Sequence, residues 1–476
     1  MKKEYCIEQV CLEFNRMIIN SLIAILVVAA YGLIYSERAF AGYKATFTPK
    51  ISIKQEYTGN VFFNNENTEE DFITTISPGF DLEFSDQSKG VKLTYMPGPS
   101  FYSTNSDNDT LRHDVSFSGW IQLSRTTQIS IYDTFKYTED PLSDPEDLIF
   151  EPSLEDDAEE SIPSVQDIMT EEQISTDPDT TRRRGREVYY SNTAGIAINQ
   201  QIGKTDTLSI GYAYSILEND DPDALDSARH NTRIGYMHPF SRFLDISLNG
   251  SYEIGDFSGE ADDFDNYKLG FTLTKRFTKF ISGNLRYQHT VANFDGQTGD
   301  YQIYDPSIGI GYSFSKNASV SLNAGYFLQD RQDSEDESGL SLDGNIGKAW
   351  EFKRGSINVS GSSGYGESYF GAENLGFNTY YQAHGSGSYS FSKTLTGSIF
   401  GSFRQNDYVN LDSDRKDDLI TAGFRLAYNP VSVKWLKVGF TYTFRKMDSS
   451  EDDNDYEEDR VLLNITLAPD HTIRLN

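Results

Sequence analysis

Within Thr205-Asp206-Thr207-Leu208-Ser209-Ile210-Gly211-Tyr212-Ala213-Tyr214-Ser215-Ile216-Leu217, residues 208–216 alternate strictly between large apolar and small or polar side chains. A period of two is the signature of an extended strand with one apolar and one polar face. The same beat recurs at 245–254, where Ile246, Leu248, Tyr252 and Ile254 alternate with Asp245, Ser247, Asn249, Ser251 and Glu253, and again at 268–274 and 460–467. Gly and Pro punctuation, with 37 Gly and 14 Pro, separates these runs along the 476 residues. The chain therefore reads as all-β.

Alternation also fits a soluble sandwich, so the connections have to decide. Every second connection is long and acidic, as at 218–228, 256–265, 292–300 and 448–458, and those between are short, such as Gly203-Lys204-Thr205 and Ser392-Lys393-Thr394. Tight turns at one end and long loops at the other predict an antiparallel outer-membrane β-barrel of about 20 strands, within 18 to 22, with turns toward the periplasm. Inside lipid a period-two sheet can satisfy its backbone only as a closed barrel. Tyr and Phe beside the short turns, as in Tyr312-Ser313-Phe314 and Tyr389-Ser390-Phe391, predict an aromatic girdle. The expected location is the bacterial cell outer membrane.

Residues 1–41 read as a signal peptide: Lys2, Lys3 and Arg16 precede the apolar run 18–34, and Ala39-Phe40-Ala41 offers a small-x-small cleavage site. The barrel then occupies 42–476, and no later apolar run is long enough for a membrane helix. Both cysteines, Cys6 and Cys11, fall in the leader, which leaves the barrel no disulfide or thiolate chemistry. A formal charge of -31, from 72 acidic and 41 basic side chains, excludes a nucleic-acid partner. None of the six histidines lies in a Gly-x-Ser-x-Gly or His-Glu-x-x-His context, so no enzyme is expected. Neither cofactor nor metal is expected; acidic strings such as Glu451-Asp452-Asp453-Asn454-Asp455 lack calcium-loop spacing and read as solvated charge facing lipopolysaccharide.

One connection breaks the rhythm. The insertion 139–187 carries 16 Asp or Glu and five prolines before residue 182, then Arg182-Arg183-Arg184-Gly185-Arg186. Charge repulsion and proline deny it a strand. Two readings stand: an extended external loop, or a lid held over the lumen by Arg182, Arg183, Arg184 and Arg186.

Assigning faces by parity sends twelve strand cations to the lumen: Lys54, Lys92, Arg112, Lys136, Arg233, Lys268, Arg286, Arg404, Arg425, Lys437, Arg445 and Arg460. Eight acids share that face: Glu56, Asp81, Glu83, Asp114, Asp245, Glu253, Asp305 and Asp343. The excess of cations suggests an anion-conducting path. Pairing of charges across the wall of a wide lumen accounts for the same residues.

The segment Ile51-Ser52-Ile53-Lys54-Gln55-Glu56-Tyr57-Thr58-Gly59-Asn60-Val61-Phe62-Phe63, followed by Glu70-Asp71-Phe72-Ile73-Thr74-Thr75-Ile76-Ser77-Pro78-Gly79, resembles the opening hairpin of the putative beta-barrel porin 2 family. The chain departs from the family pattern at Tyr57-Thr58-Gly59-Asn60, in the 139–181 insertion, and at its end, Ile473-Arg474-Leu475-Asn476. The resemblance implies an outer-membrane barrel associated with capsule and exopolysaccharide export, and it carries over no functional residue. Expected partners are outer-membrane lipid and lipopolysaccharide, the barrel assembly machinery, a polysaccharide and periplasmic export components. A general porin for small solutes and a structural or adhesive surface barrel are the alternatives.

Overall fold

A computed structural model describes residues 44–140 and 186–474, apart from short stretches at 223, 260, 297, 316–317, 333–334, 351–353, 371–373, 410–414, 452–453 and 470–472. The segment 1–41, expected to be a signal peptide, and most of the acidic insertion, including Arg182, Arg183 and Arg184, lie outside the described residues.

Twenty strands of 12 to 15 residues run up and down in chain order. They are β1 (Lys44–Thr58), β2 (Asp71–Ser85), β3 (Lys89–Tyr102), β4 (Thr110–Ser124), β5 (Thr127–Thr138), β6 (Tyr189–Ile202), β7 (Asp206–Asn219), β8 (Ser227–Ser241), β9 (Leu244–Phe257) and β10 (Phe264–Arg276). Then come β11 (Ile281–Phe294), β12 (Tyr301–Ser315), β13 (Ala318–Arg331), β14 (Glu337–Trp350), β15 (Gly355–Ser368), β16 (Gly376–Ser390), β17 (Leu395–Tyr408), β18 (Lys416–Tyr428), β19 (Leu436–Ser449) and β20 (Tyr456–Leu467). Each pairs antiparallel with its neighbours, and β1 pairs with β20 from Ile51 opposite Leu467 to Thr58 opposite Arg460, which closes the barrel. A two-residue strand, β21 (Ile473–Arg474), extends the closing edge against Thr46 and Phe47.

Alternation sorts the faces. Leu269, Ile308, Ile346 and Ile399 point outward and are 58–68% exposed, the apolar band that lipid would cover. Phe240, Phe243, Phe277, Phe280, Phe314 and Phe391 are exposed beside the short turns, in the position of the expected girdle. Crossing the hydrocarbon takes about 9 to 11 residues per strand, so strands of this length stand clear of it at one end. Several external connections are accordingly shorter than the sequence implies; the one between β9 and β10 closes over 258–263 rather than 256–265. Proline interrupts the ladder locally: β2 and β3 are unpaired over 76–79 and 96–99, where Pro78, Pro97 and Pro99 lie.

The acidity of the external loops has a structural component. Asp109, Asp226, Asp263, Asp300 and Asp455 each stand immediately before the returning strand of a hairpin. Each accepts a hydrogen bond from the backbone N–H of the outgoing strand's last residue, at Tyr102, Asn219, Phe257, Phe294 and Ser449, at 2.6–2.9 Å. An unpaired donor at a strand end is satisfied by a charged acceptor, a stronger bond than a neutral one.

Candidate functional site

Starting from the wall of β1 and β20, parity turns Glu56, Thr58, Glu458 and Arg460 inward near the external end. Glu56 accepts Arg460 Nη2 at 2.8 Å and Arg186 Nη2 at 2.7 Å. Arg460 Nη2 also reaches Asp140 Oδ2 at 2.9 Å, and Arg186 Nη1 lies 3.8 Å from Asp140 Oδ1. Beside them Arg112 grips Glu139 through Nε and Nη2, and Ser100 and Tyr102 donate to the same carboxylate. Thr58 donates to Glu458, which pairs with Arg445 at 3.4 Å. Four arginines and four carboxylates thus balance in one buried cluster, with Glu139 fully buried and Arg460 2% exposed. Buried charges persist only when paired and hydrogen-bonded. Burial would raise the Asp140 carboxyl, but Arg460, Arg186 and Arg112 together outweigh it and hold it well below the usual carboxylate range. Both described bases of the insertion, Glu139–Asp140 and Arg186, are therefore bound inside the lumen.

A second closure comes from the β15–β16 hairpin. β15 pairs with β14 only up to Ser363 opposite Leu342, yet remains paired with β16 as far as Ser368 opposite Gly376. Freed from β14, the β15–β16 tip leans into the lumen. Tyr365 and Phe377 pack on Phe327 of β13, while Tyr369 and Phe370 pack on Phe264 of β10. Phe370 also meets Phe257 of β9 and lies 4.6 Å from the Arg229 guanidinium of β8. Glu367 fixes the tip: Lys268 reaches it at 2.6 Å and Tyr301 donates to it at 2.6 Å. Phe264, Ile303, Phe327 and Phe377 are at most 3% exposed, which makes this a true aromatic core inside a barrel. A smaller cluster, Phe63 with Leu419, Met447 and Tyr456, folds the first external loop inward.

Beneath these closures the wall is polar and open. A cavity of about 430 Å³ is lined by Asn249, Thr272, Asn284, Arg286, Asp305, Ser307, Asn323, Ser341 and Asp343. Asn284 donates to Asn323 at 3.1 Å, and Asn323 to Asp343 at 3.2 Å.

The inward cations anticipated from parity take several roles. Arg112, Arg445, Arg460 and Lys268 belong to the two closures. Arg233 donates to Asn231, which binds Glu253 together with Arg229. Arg286 donates to Gln288, and Arg404 to Gln382 and Asn406. Lys92 stands opposite Glu83, Lys136 opposite Asp114, Lys54 opposite Asn464, Arg425 opposite Ser398 and Lys437 opposite Thr466. The infolding of β15–β16 escaped sequence reading, because Gly361-Ser362-Ser363-Gly364-Tyr365 looks like any small-residue strand. Its one signal is the acidic residue of the tip, Glu367, set among aromatics. Arg229 was missed because its face cannot be told from parity at a strand end.

Catalytic arrangements do not emerge among the described residues. His113 bonds Tyr95, His230 bonds Tyr212 and His238 bonds Asp206, and none of these pairs has a serine nucleophile beside it. Among the described residues no group of three or more His, Cys, Asp or Glu side chains is placed to hold a metal ion.

No curated protein matches the chain. Solved structures with a similar course include OccK2 (OpdF) of Pseudomonas aeruginosa, at 11% identity over 89% of this chain and 98% of that one, with a TM-score of 0.42. A BenF-like porin from Pseudomonas fluorescens Pf-5 is similar at 11% identity over 89% and 99%, with a TM-score of 0.42. The family match falls at the other end of the chain from the hairpin that suggested it. Residues 374–468, from the β15–β16 tip through β20, match the family described as Putative beta-barrel porin 2.

Proposed function

We propose that this barrel is a gated conduit for a polysaccharide leaving through the bacterial outer membrane. The observation that carries the reading is the difference between the lumen's two ends: a polar cavity below, and above it two closures built from the external strand ends. A general diffusion porin keeps a standing aqueous path, whereas here the Glu56–Arg186–Arg460–Asp140 cluster and the Glu367-anchored tip occupy the mouth. The acidic insertion begins and ends in the first of these closures, which supports a role for it in gating. Transport needs no catalytic group; a polymer needs many weak contacts and no tight one.

The leader 1–41 fits delivery to the periplasm. The assembly machinery that inserts barrels, lipopolysaccharide around the acidic rim and periplasmic export components are the partners this reading requires. Much of the inward positive charge is engaged with carboxylates, which supports a structural role for it above an anion-selective path.

The test is conductance of the refolded mature chain in a planar bilayer, with and without residues 141–180. A small, rarely open conductance in the full chain that becomes large on deletion is expected. A large, steady conductance in both forms overturns gating in favour of a general porin, and silence in both favours a structural barrel.

A further inference from the structure

Strand register places one polar row across nine consecutive strands. Asp245 stands opposite Thr274, Thr274 opposite Asn284, Asn284 opposite Gly309, and Gly309 opposite Asn323. The row continues through Asp343, Ser362, Gln382 and Arg404. Hydrogen bonds join the side chains along it, from Asn284 to Asn323, Asn323 to Asp343, Gln382 to Ser362 at 2.7 Å, and Arg404 to Gln382 at 3.0 Å. Because barrel strands are tilted and staggered, a row of opposite residues climbs as it goes round. Asp245 is the second residue of β9, beside a periplasmic turn, and Arg404 is the tenth of β17, in its external half. The Arg404 guanidinium lies 4.5 Å over the ring of Tyr380, on the infolded hairpin. The row therefore leads from the periplasmic entrance to the underside of the closure.

The geometry points to this row as a binding track for a polysaccharide of uncharged sugars. The inference rests on the conduit reading and names the class of cargo. Amide and hydroxyl groups both donate and accept, as sugar hydroxyls do, and carboxylates accept from them. The cavity sets Arg286 against Asp305 and Asp343, so its charge is negative and it disfavours an acidic polymer. Neighbouring positions are about 4.8 Å apart from strand to strand, close to the length of one pyranose, so each step presents an equivalent set of contacts. Gly309 lets the amides lie flat: a Cβ there would stand 1.8 Å from Asn323 Oδ1 and 2.5 Å from Asn284 Nδ2.

Saturation-transfer NMR on the full chain in detergent micelles tests this, with maltohexaose as the neutral probe and hexagalacturonate as the acidic one. Saturation transfer to the maltohexaose ring protons is expected, with weaker transfer to hexagalacturonate. It should fall at least fivefold in Asn323→Leu and in Gly309→Ala, each judged folded by an unchanged heat-modified shift on electrophoresis. The two variants disturb the same amides by different routes, so misfolding of one leaves the other to decide. Equal signals in the variants, no signal in the parent, or stronger transfer to hexagalacturonate overturns the proposal. Failure is separable from failure of gating: a steadily conducting barrel that binds maltohexaose through Asn323 refutes the gate and keeps the track, and the converse refutes the track alone.

Discussion

The external and periplasmic halves of this barrel are built from the same strands with the same alternation, yet their inner walls differ. Above, Glu56, Glu139, Arg186, Glu458 and Arg460 are buried in ion pairs, and Phe264, Ile303, Phe327 and Phe377 form a buried, largely aromatic core. Below, Asn284, Asn323 and Asp343 face a cavity. The difference teaches that a lumen wall is not specified by its own residues. It becomes a core where another segment folds onto it and stays a polar surface where nothing does.

The largest effect is expected from breaking the charge cluster. Arg186→Met leaves Glu56 and Asp140 short of a partner, and removal of one member of a buried pair costs about 3–5 kcal/mol. Urea unfolding followed by Trp fluorescence should show that loss, and bilayer recordings should show longer open times. An unchanged midpoint and unchanged closure would mean that the two halves are not held apart by this cluster.

Glu367→Gln addresses the other closure, with a smaller expected effect. It removes the charge that Lys268 and Tyr301 engage but keeps the size of the side chain. A loss of about 2–3 kcal/mol is expected, because bonds to charged groups contribute more than neutral ones. Greater protease access at 366–376 should accompany it, with the periplasmic half untouched.

Acid should reveal the asymmetry of the charge cluster without mutation. Asp140 has its carboxyl depressed in the folded chain, so the stability it contributes is complete above the unfolded value of about 3.9 and fades only as pH falls below that toward the folded value. Closure should therefore hold constant from pH 8 to about pH 4.5 and loosen only in stronger acid. Opening near pH 6 would show that another group controls the mouth.

Asp300→Ala, at the hairpin clamp that precedes Tyr301 and borders the aromatic closure, should cost about 1 kcal/mol and Asp300→Asn less, since the amide oxygen can still accept from Phe294 N–H. A hydrogen-exchange measurement at the β11–β12 end would detect the difference. A large effect on conductance from this substitution would blur the distinction between loop scaffolding and gate.

Much of the architecture was legible. The beat of Leu208, Ile210, Tyr212 and Tyr214 against Ser209, Gly211 and Ala213 yields both the strand and its lipid face, because side-chain direction in a strand follows directly from position. The sorting of connections gave up and down, and with it the strand number. The candidate site was legible only in part. Parity turned Arg460, Glu56 and Arg112 inward, and the Arg run placed Arg186 beside the insertion. That Arg186 meets Glu56, 130 residues away, and that Arg460 meets it across 404, depends on closure of the barrel.

What the sequence alone determined is thus everything that depends on a local period: strands, faces, the acidic external side and the aromatic rim. What only the tertiary structure decided is the use of the inner face, with β15 leaving β14 at Ser363 so that Tyr365 and Phe370 reach β8–β13, and the row from Asp245 to Arg404 brought into line. The physical reason is that register and infolding are long-range choices, settled by which surfaces can be buried together once the sheet has closed, and no window of neighbouring residues contains that information.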